Sequence, residues 1–279
     1  MTRLLLCTDL DRTLIPNGDQ PESPLARPLF AKLAGEQQVT TAYVTGRHQA
    51  LIQQAIQDYA LPLPDFAIAD VGATIYQVTG TRWQRWSDWD THLAPQWCGA
   101  SHEDLRHLLS GIAELTLQEP EKQAVHKLSF YTPLLADPDK LRSRVKTRLK
   151  AAGIRSNLIW SIDTAKQQGL LDILPLNANK LHAIEFLMAV QAFERHQTVF
   201  AGDSGNDLDV LLSGIPSVLV ANADTHIKAR VAHVPAHHIY LAKGDYLGMN
   251  GNYGAGILEG VAHYHPEVGH WLHQHIDSD

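Results

Sequence analysis

Two aspartates follow an apolar run in Leu4-Leu5-Leu6-Cys7-Thr8-Asp9-Leu10-Asp11-Arg12-Thr13. The run reads as a buried strand. Its Asp-x-Asp-x-Thr ending falls at the carboxyl end, the edge at which open parallel α/β sheets bind ligands. Carboxylates this close repel unless a divalent cation, a shared proton or basic neighbours offset them. A carboxylate so placed can attack phosphorus and carry the phosphoryl group covalently. An anionic substrate then requires a cation, and Mg²⁺, which takes one or two carboxylates plus phosphate and water, suits the task. In that chemistry Asp9 is nucleophile and ligand. Asp11 protonates the leaving oxygen and later activates water.

Three further segments fit the same chemistry. Thr45-Gly46-Arg47 directly follows the strand-like run ending at Val44. Thr45 offers a hydroxyl to a phosphate oxygen, Gly46 permits close backbone approach, and the next helix starts with free N–H groups that favour an anion. Arg47 can reach substrate or tie down the loop. Lys180 stands at a helix start, where it opposes the dipole unless a phosphate or carboxylate lies nearby. Gly202-Asp203-Ser204-Gly205-Asn206-Asp207 follows the apolar run Thr198-Val199-Phe200-Ala201. Asp203 is placed to ligate Mg²⁺. Asn206 and Asp207 can ligate the metal, hold its waters or orient Lys180. Asp, Ser and Asn also cap ordinary turns, so each segment alone is ambiguous. Two acid clusters at strand ends, far apart in sequence, could build one magnesium site.

The elements that must position these groups alternate along the chain. Val39–Val44 reads as a strand, Leu51, Ile52, Ala55, Ile56 and Tyr59 as a helix face, and residues 66–69 as a strand. Leu181, Ile184, Leu187 and Met188 mark a helix, and 199–201 and 217–220 are further strands. This rhythm predicts a parallel sheet with helices on both faces. Residues 80–174 differ, with two helices (Leu105 to Leu115; Leu141, Val145, Leu149) and antiparallel-looking strands. The expected organisation is α/β: a Rossmann-like parallel sheet core built from 1–79 and 175–279, plus an inserted α+β cap domain over 80–174. Residues 234–252 read as a long irregular loop.

Composition bounds the partners. The 279 residues carry 44% hydrophobic and 19% charged side chains and a formal charge of −7, values of a globular chain without the basic surplus that nucleic-acid binding requires. No apolar run is long enough to span a bilayer, and the first residues read directly as a strand with no signal-peptide pattern. A cytoplasmic protein without nucleic-acid or membrane partners is expected. Cys7 and Cys98 make no metal motif. Sixteen histidines are many, and His263, His265, His270, His273 and His275 crowd the tail, but their spacing matches no defined site.

Taken in order, the four segments resemble the motifs of the haloacid dehalogenase superfamily of phosphohydrolases. The resemblance implies a mobile cap inserted between the Thr45 and Lys180 motifs. It assigns Asp9 as nucleophile, Asp11 as acid/base, and Thr45 and Lys180 as phosphate binders. Asp203, Asp207, Asp9 and the Asp11 backbone carbonyl would hold Mg²⁺. Arg12 departs from the smaller or less charged residue expected at its position. A narrower likeness is to the sucrose-6-phosphate phosphatases: residues 115–120, 126–131, 171–175, 71–76 and 255–259 look like segments of that family, whereas 82–101 and 235–252 match poorly. It points to Gln118 and Lys127 as sugar contacts on the cap. With Thr13, Gly46, Arg47 and Asn206 these make up the candidate substrate-binding set. Trp83, Trp86, Trp89 and Trp97 could stack on a sugar but are read as packing residues.

The expected activity is Mg²⁺-dependent hydrolysis of a small sugar phosphate, sucrose 6-phosphate first, with a sucrose-phosphate synthase as a candidate partner. The alternatives are mannosylfructose phosphate, mannosyl-phosphoglycerate or a hexose phosphate as substrate, a sugar phosphomutase, and a non-catalytic subunit of a sucrose-forming complex.

Overall fold

A computed structural model describes residues 2–163, 166–235 and 237–276. The chain opens with β1 (Leu4–Thr8), α1 (Ala26–Ala34), β2 (Val39–Val44), α2 (Gln49–Asp58) and β3 (Phe66–Ala69). The hairpin β4 (Thr74–Thr79) and β5 (Arg82–Arg85) and the short helix α3 (Ser87–Leu93) follow. Then come α4 (His102–Leu109), β6 (Thr116–Leu117), β7 (Leu128–Pro133), α5 (Pro138–Ala151), β8 (Ser156–Asp163) and β9 (Gln168–Pro175). The chain finishes with α6 (Lys180–Val190), β10 (Thr198–Gly202), α7 (Leu208–Leu211), β11 (Ser217–Leu219), α8 (Thr225–Val231), β12 (Ile239–Leu241), α9 (Gly254–Tyr264) and α10 (Pro266–His275).

The large sheet has the order β12-β11-β10-β1-β2-β3-β4-β5. It is parallel from β12 to β3, and β4 and β5 are antiparallel. β1 lies near its middle and every residue of it is buried, which is why the run Leu4 to Cys7 is continuously apolar. Beside it lies β10, with Cys7 opposite Phe200 and Thr8 opposite Ala201. That register brings the Asp9 turn and the Asp203 turn out side by side at the same sheet edge.

The smaller sheet, β6-β7-β9-β8, is antiparallel throughout. α4 and α5 supply Leu105, Leu109, Leu141, Val145 and Leu149 to its own apolar cluster with Trp97, Phe130 and Leu171. Leu141, Val145 and Leu149 recur every fourth residue and so share one helix face. α5 starts on Asp137, whose carboxylate accepts from the Asp139 and Lys140 amides.

The chain just beyond residue 80 stays with the large sheet. β5 pairs with β4 in the large sheet, and Trp89 and Leu93 of α3 pack in the large sheet's cluster. Residues 80–93 therefore stand with the larger body, because the chain turns back at Gly80 as a hairpin. Trp86 stacks on Phe66 with centroids 5.5 Å apart, and Trp89 lies 5.0 Å from Phe186, so these indoles pack rather than present a platform. β7 begins at Leu128, directly after the tight turn that Ala124 and Lys127 close. The helix read to Leu115 ends at Leu109.

The segment read as a loop over 234–252 contains β12 and is anchored. Glu259 of α9 accepts from the Tyr240 hydroxyl at 2.8 Å and from the Lys243 and Gly244 amides at 2.8 and 3.0 Å. Tyr253 N–H donates to Asn222 Oδ1 at 2.8 Å, and Asn222 Nδ2 donates to the Arg12 carbonyl at 2.6 Å. The loop is thereby tied to the Asp-x-Asp turn.

Candidate active site

Asp9 emerges where β1 ends and remains almost wholly buried. Its amide donates to the Ala201 carbonyl of β10 at 2.9 Å. Its Oδ1 accepts from the Leu10 amide at 2.8 Å and lies 3.1 Å from Lys180 Nζ. Both contacts use Oδ1, which leaves Oδ2 for a ligand. Arg12, at φ +58°, turns the chain back. The Thr13, Leu14 and Ile15 amides then all reach the Leu10 carbonyl.

Lys180 explains the apparent misplacement of a lysine at a helix start. Its ammonium is buried and meets Asp207 Oδ1 at 2.7 Å, Asp9 Oδ1 at 3.1 Å and Asn206 Oδ1 at 3.3 Å. Burial works against the charge, but Asp207 and Asp9 outweigh it, so the pKa lies above that of an ordinary lysine. Asp207 also shapes its own loop: its Oδ2 accepts from the Asp203 and Ser204 amides at 3.0 and 3.1 Å. Gly202 is required there, since a Cβ would lie 2.6 Å from the Asp207 carboxyl carbon.

Asp9, Asp203 and Asp207 are the one group of three potential metal-ligating side chains among the described residues, with ligand atoms within 4.8 Å of one another. Ionised, the three carboxylates carry one negative charge more than the Lys180 ammonium and the nearby Arg12 guanidinium together offset. Burial, then the neighbouring acids, push Asp9 up to about 8, with Lys180 opposing. Burial and Asp207 push Asp203 up to about 6, with Arg12 and Lys180 opposing. Asp203 Oδ2 is buried and has no hydrogen-bond donor; only Arg12 Nε approaches it, at 3.5 Å. An excess of buried negative charge, an all-oxygen donor set and an orphaned carboxylate oxygen fit a hard divalent cation such as Mg²⁺.

Thr45 sits at the end of β2, buried, with its Oγ1 accepting from the Arg47 amide at 3.2 Å, so its own hydroxyl proton remains available to an anion. Arg47 grips Asp11 with two bonds, Nε to Oδ2 at 2.8 Å and Nη2 to Oδ1 at 2.6 Å, and Asn17 adds a third at 2.7 Å. Burial raises the Asp11 pKa, but Arg47 and Asn17 prevail and hold it below the usual carboxylate range. Asp9, Asp11, Arg12, Thr45, Gly46, Arg47, Asp203 and Asn206 all line one cleft of about 340 Å³.

The other candidates stand elsewhere. Thr13 is buried beneath the cleft and its hydroxyl donates to Asp203 Oδ1 at 3.3 Å. Gln118 is buried in the smaller body, its amide donating to the Phe130 carbonyl at 2.9 Å. Lys127 is buried between Asp70 at 3.2 Å and Asp172 at 3.9 Å. Asp70, which sequence reasoning did not single out, belongs to the larger body. Its signal was the Asp70-Val71-Gly72 turn directly after a strand. Among the tail histidines, His263, His270 and His273 border a separate groove with Tyr240 and Lys243.

The family model of sucrose-6F-phosphate phosphohydrolase matches residues 2–265. The chain belongs to that family, a group of phosphoric monoester hydrolases within the haloacid dehalogenase superfamily. A HAD-like hydrolase of Nitrosococcus oceani is 52% identical over 274 residues, which cover 97% of this chain and 74% of that protein. Sucrose-phosphatase 1 of Nicotiana tabacum is 28% identical over 81% of this chain. The mannosylfructose-phosphate phosphatase of Agrobacterium fabrum is 28% identical over 78% of this chain and 83% of its own length. The chain spans about half the length of the tobacco enzyme, 52%. Among solved structures, the sucrose-phosphatase of Synechocystis in complex with sucrose and phosphate superposes with a TM-score of 0.72 at 26% identity, covering 95% of this chain and 98% of that one. Among the described residues no helix is long and apolar enough to cross a membrane.

Proposed function

We propose that this protein hydrolyses a sugar phosphate, sucrose 6-phosphate before others, through an aspartyl-phosphate on Asp9 and with Mg²⁺ as cofactor. One observation carries the reading: Asp9, held through Oδ1 by the buried Lys180 and with its Oδ2 unengaged, lines one cleft with Thr45 and the Asp203 turn. A nucleophile surrounded by cationic and hydroxyl groups is what phosphoryl transfer requires, because catalysis of that reaction is chiefly positioning and charge stabilisation.

Asp9, Asp203 and Asp207, with the Asp11 carbonyl, would hold the metal, which supplies positive charge against the phosphoryl oxygens when bound. The Thr45 hydroxyl and the Lys180 ammonium bind the phosphate. Asp9 Oδ2 attacks phosphorus, and the bond from phosphorus to the sugar oxygen breaks. Asp11 gives that oxygen its proton and then takes one from the water that hydrolyses the acyl phosphate. In the present conformation Arg47 holds Asp11 as a carboxylate, so Asp11 must leave that grip and take up a proton from solvent before it acts as an acid. An arriving phosphate competes for the same guanidinium, which couples substrate binding to the release of Asp11.

The family membership and the likeness to the Synechocystis enzyme support sucrose 6-phosphate. The tobacco and Agrobacterium relatives are equally similar at 28%, so mannosylfructose phosphate is the second candidate. The test is phosphate release, with and without Mg²⁺, from these two compounds beside glucose 6-phosphate and fructose 6-phosphate. The reading expects metal-dependent release with sucrose 6-phosphate preferred. Equal rates on all four would remove the sucrose assignment, and release from none would remove the phosphatase.

A further inference from the structure

The turn after β3 is strained. Asp70 and Val71 have φ of +53° and +58°, a region that branched residues avoid. Strain of this kind persists only where the surroundings enforce it, and here they do. The Asp70 amide donates to the Arg47 carbonyl and the Val71 amide to the Thr45 carbonyl, both at 3.0 Å. Gly72, at φ +99°, presses so closely on the backbone of Asn179 that a Cβ would come within 2.3 Å of it. Trp89 Nε1 donates to the Gly72 carbonyl at 3.0 Å. One short turn thus braces both the Thr45 loop and the start of α6, which carries Lys180.

The Asp70 side chain reaches from this turn across the boundary between the two bodies. Its Oδ1 meets Lys127 Nζ at 3.2 Å, and its Oδ2 accepts from the Thr74 hydroxyl at 3.2 Å. Asp70 is 3% exposed and Lys127 7%. Lys127 has a second acid, Asp172, within its own body. The ammonium is therefore engaged on both sides, by the cap and by the core.

We infer that Asp70 is a positioning residue that seats the cap over the phosphate site through Lys127, and so favours substrates whose leaving group is large enough to meet the cap. This rests on the sugar-phosphate reading above. The pair joins the cap to the same turn that fixes Thr45, so closure of the cap and placement of the phosphate share one anchor.

Asp70→Asn is the suitable variant, because Asn tolerates left-handed backbone as Asp does and loses only the charge. Measured on the full chain, it should lower kcat/KM for sucrose 6-phosphate by about tenfold, mostly through KM, while p-nitrophenyl phosphate, which has little to offer the cap, changes by less than about twofold. Amide hydrogen exchange over residues 119–127 should quicken by about tenfold. Lys127→Met should quicken the same segment, and the double variant should lose little more on sucrose 6-phosphate than Asp70→Asn alone. Equal losses on both substrates, unchanged exchange, or additive losses in the double variant would each overturn the assignment. Absence of phosphate release from either compound by the unaltered protein would defeat the functional reading, and the exchange data would still decide the role of the pair.

Discussion

Lys180 is the residue on which the site's electrostatics turn. Among the described residues it is the single ammonium bonded to Asp9 and Asp207, and all three groups are buried. Lys180→Met would leave those carboxylates without their partner, which costs about 3–5 kcal/mol for a buried pair. The expected outcome is a lower melting temperature together with a loss of kcat of at least about a hundredfold. Thermal unfolding and phosphate release check the two parts separately. The residues proposed to bear this chemistry stand out in the sequence because acids, glycines and a lysine at strand and helix ends are local signals. Their partners were not. That Arg47 would hold Asp11 and Arg12 would approach Asp203 depends on side-chain reach across loops distant in sequence. Gln118 likewise donates its side-chain amide to a neighbouring strand's carbonyl, a partner its sequence position did not reveal.

The elements matter through the turns that end them. β1, β2 and β10 each deliver one part of the site at the same edge, and their apolar runs made them readable. The hairpin of β4 and β5 was harder, because alternation marks a strand but not its neighbour. The turn after β3 is costly, since left-handed backbone costs an L-residue roughly 1–2 kcal/mol. Gly72 and Gly80 both have positive φ, but only Gly72 has backbone atoms within 4 Å of a Cβ. Gly80→Ala should lower stability by about 1 kcal/mol, the conformational cost alone. Gly72→Ala should exceed it by at least about 2 kcal/mol, because backbone of Asn179 must move. Denaturant unfolding of the two variants makes the comparison.

Across the whole molecule, the cleft joins buried acids from both halves of the large body and is fitted to a cation. That gives a pH dependence of definite sign. The raised pKa values of Asp9 and Asp203, about 8 and about 6, exceed those of an unfolded aspartate, about 4. Between pH 4 and 8 the folded protein therefore holds protons that the unfolded chain has lost. Their contribution to stability falls as pH rises through that range. A bound divalent cation replaces those protons, so Mg²⁺ should raise the melting temperature more at pH 8 than at pH 5. An equal or larger effect at pH 5 would separate these acids from the metal. The account as a whole stands on Asp9 carrying the phosphoryl group. Acid-quenching the protein during turnover of sucrose 6-phosphate with Mg²⁺, followed by mass analysis of its peptides, tests this most directly. The expected result is a phosphoryl group on the peptide containing Asp9, absent in Asp9→Asn, which also ceases to release phosphate. Continued turnover by Asp9→Asn, or a phosphoryl group on another residue, would contradict it.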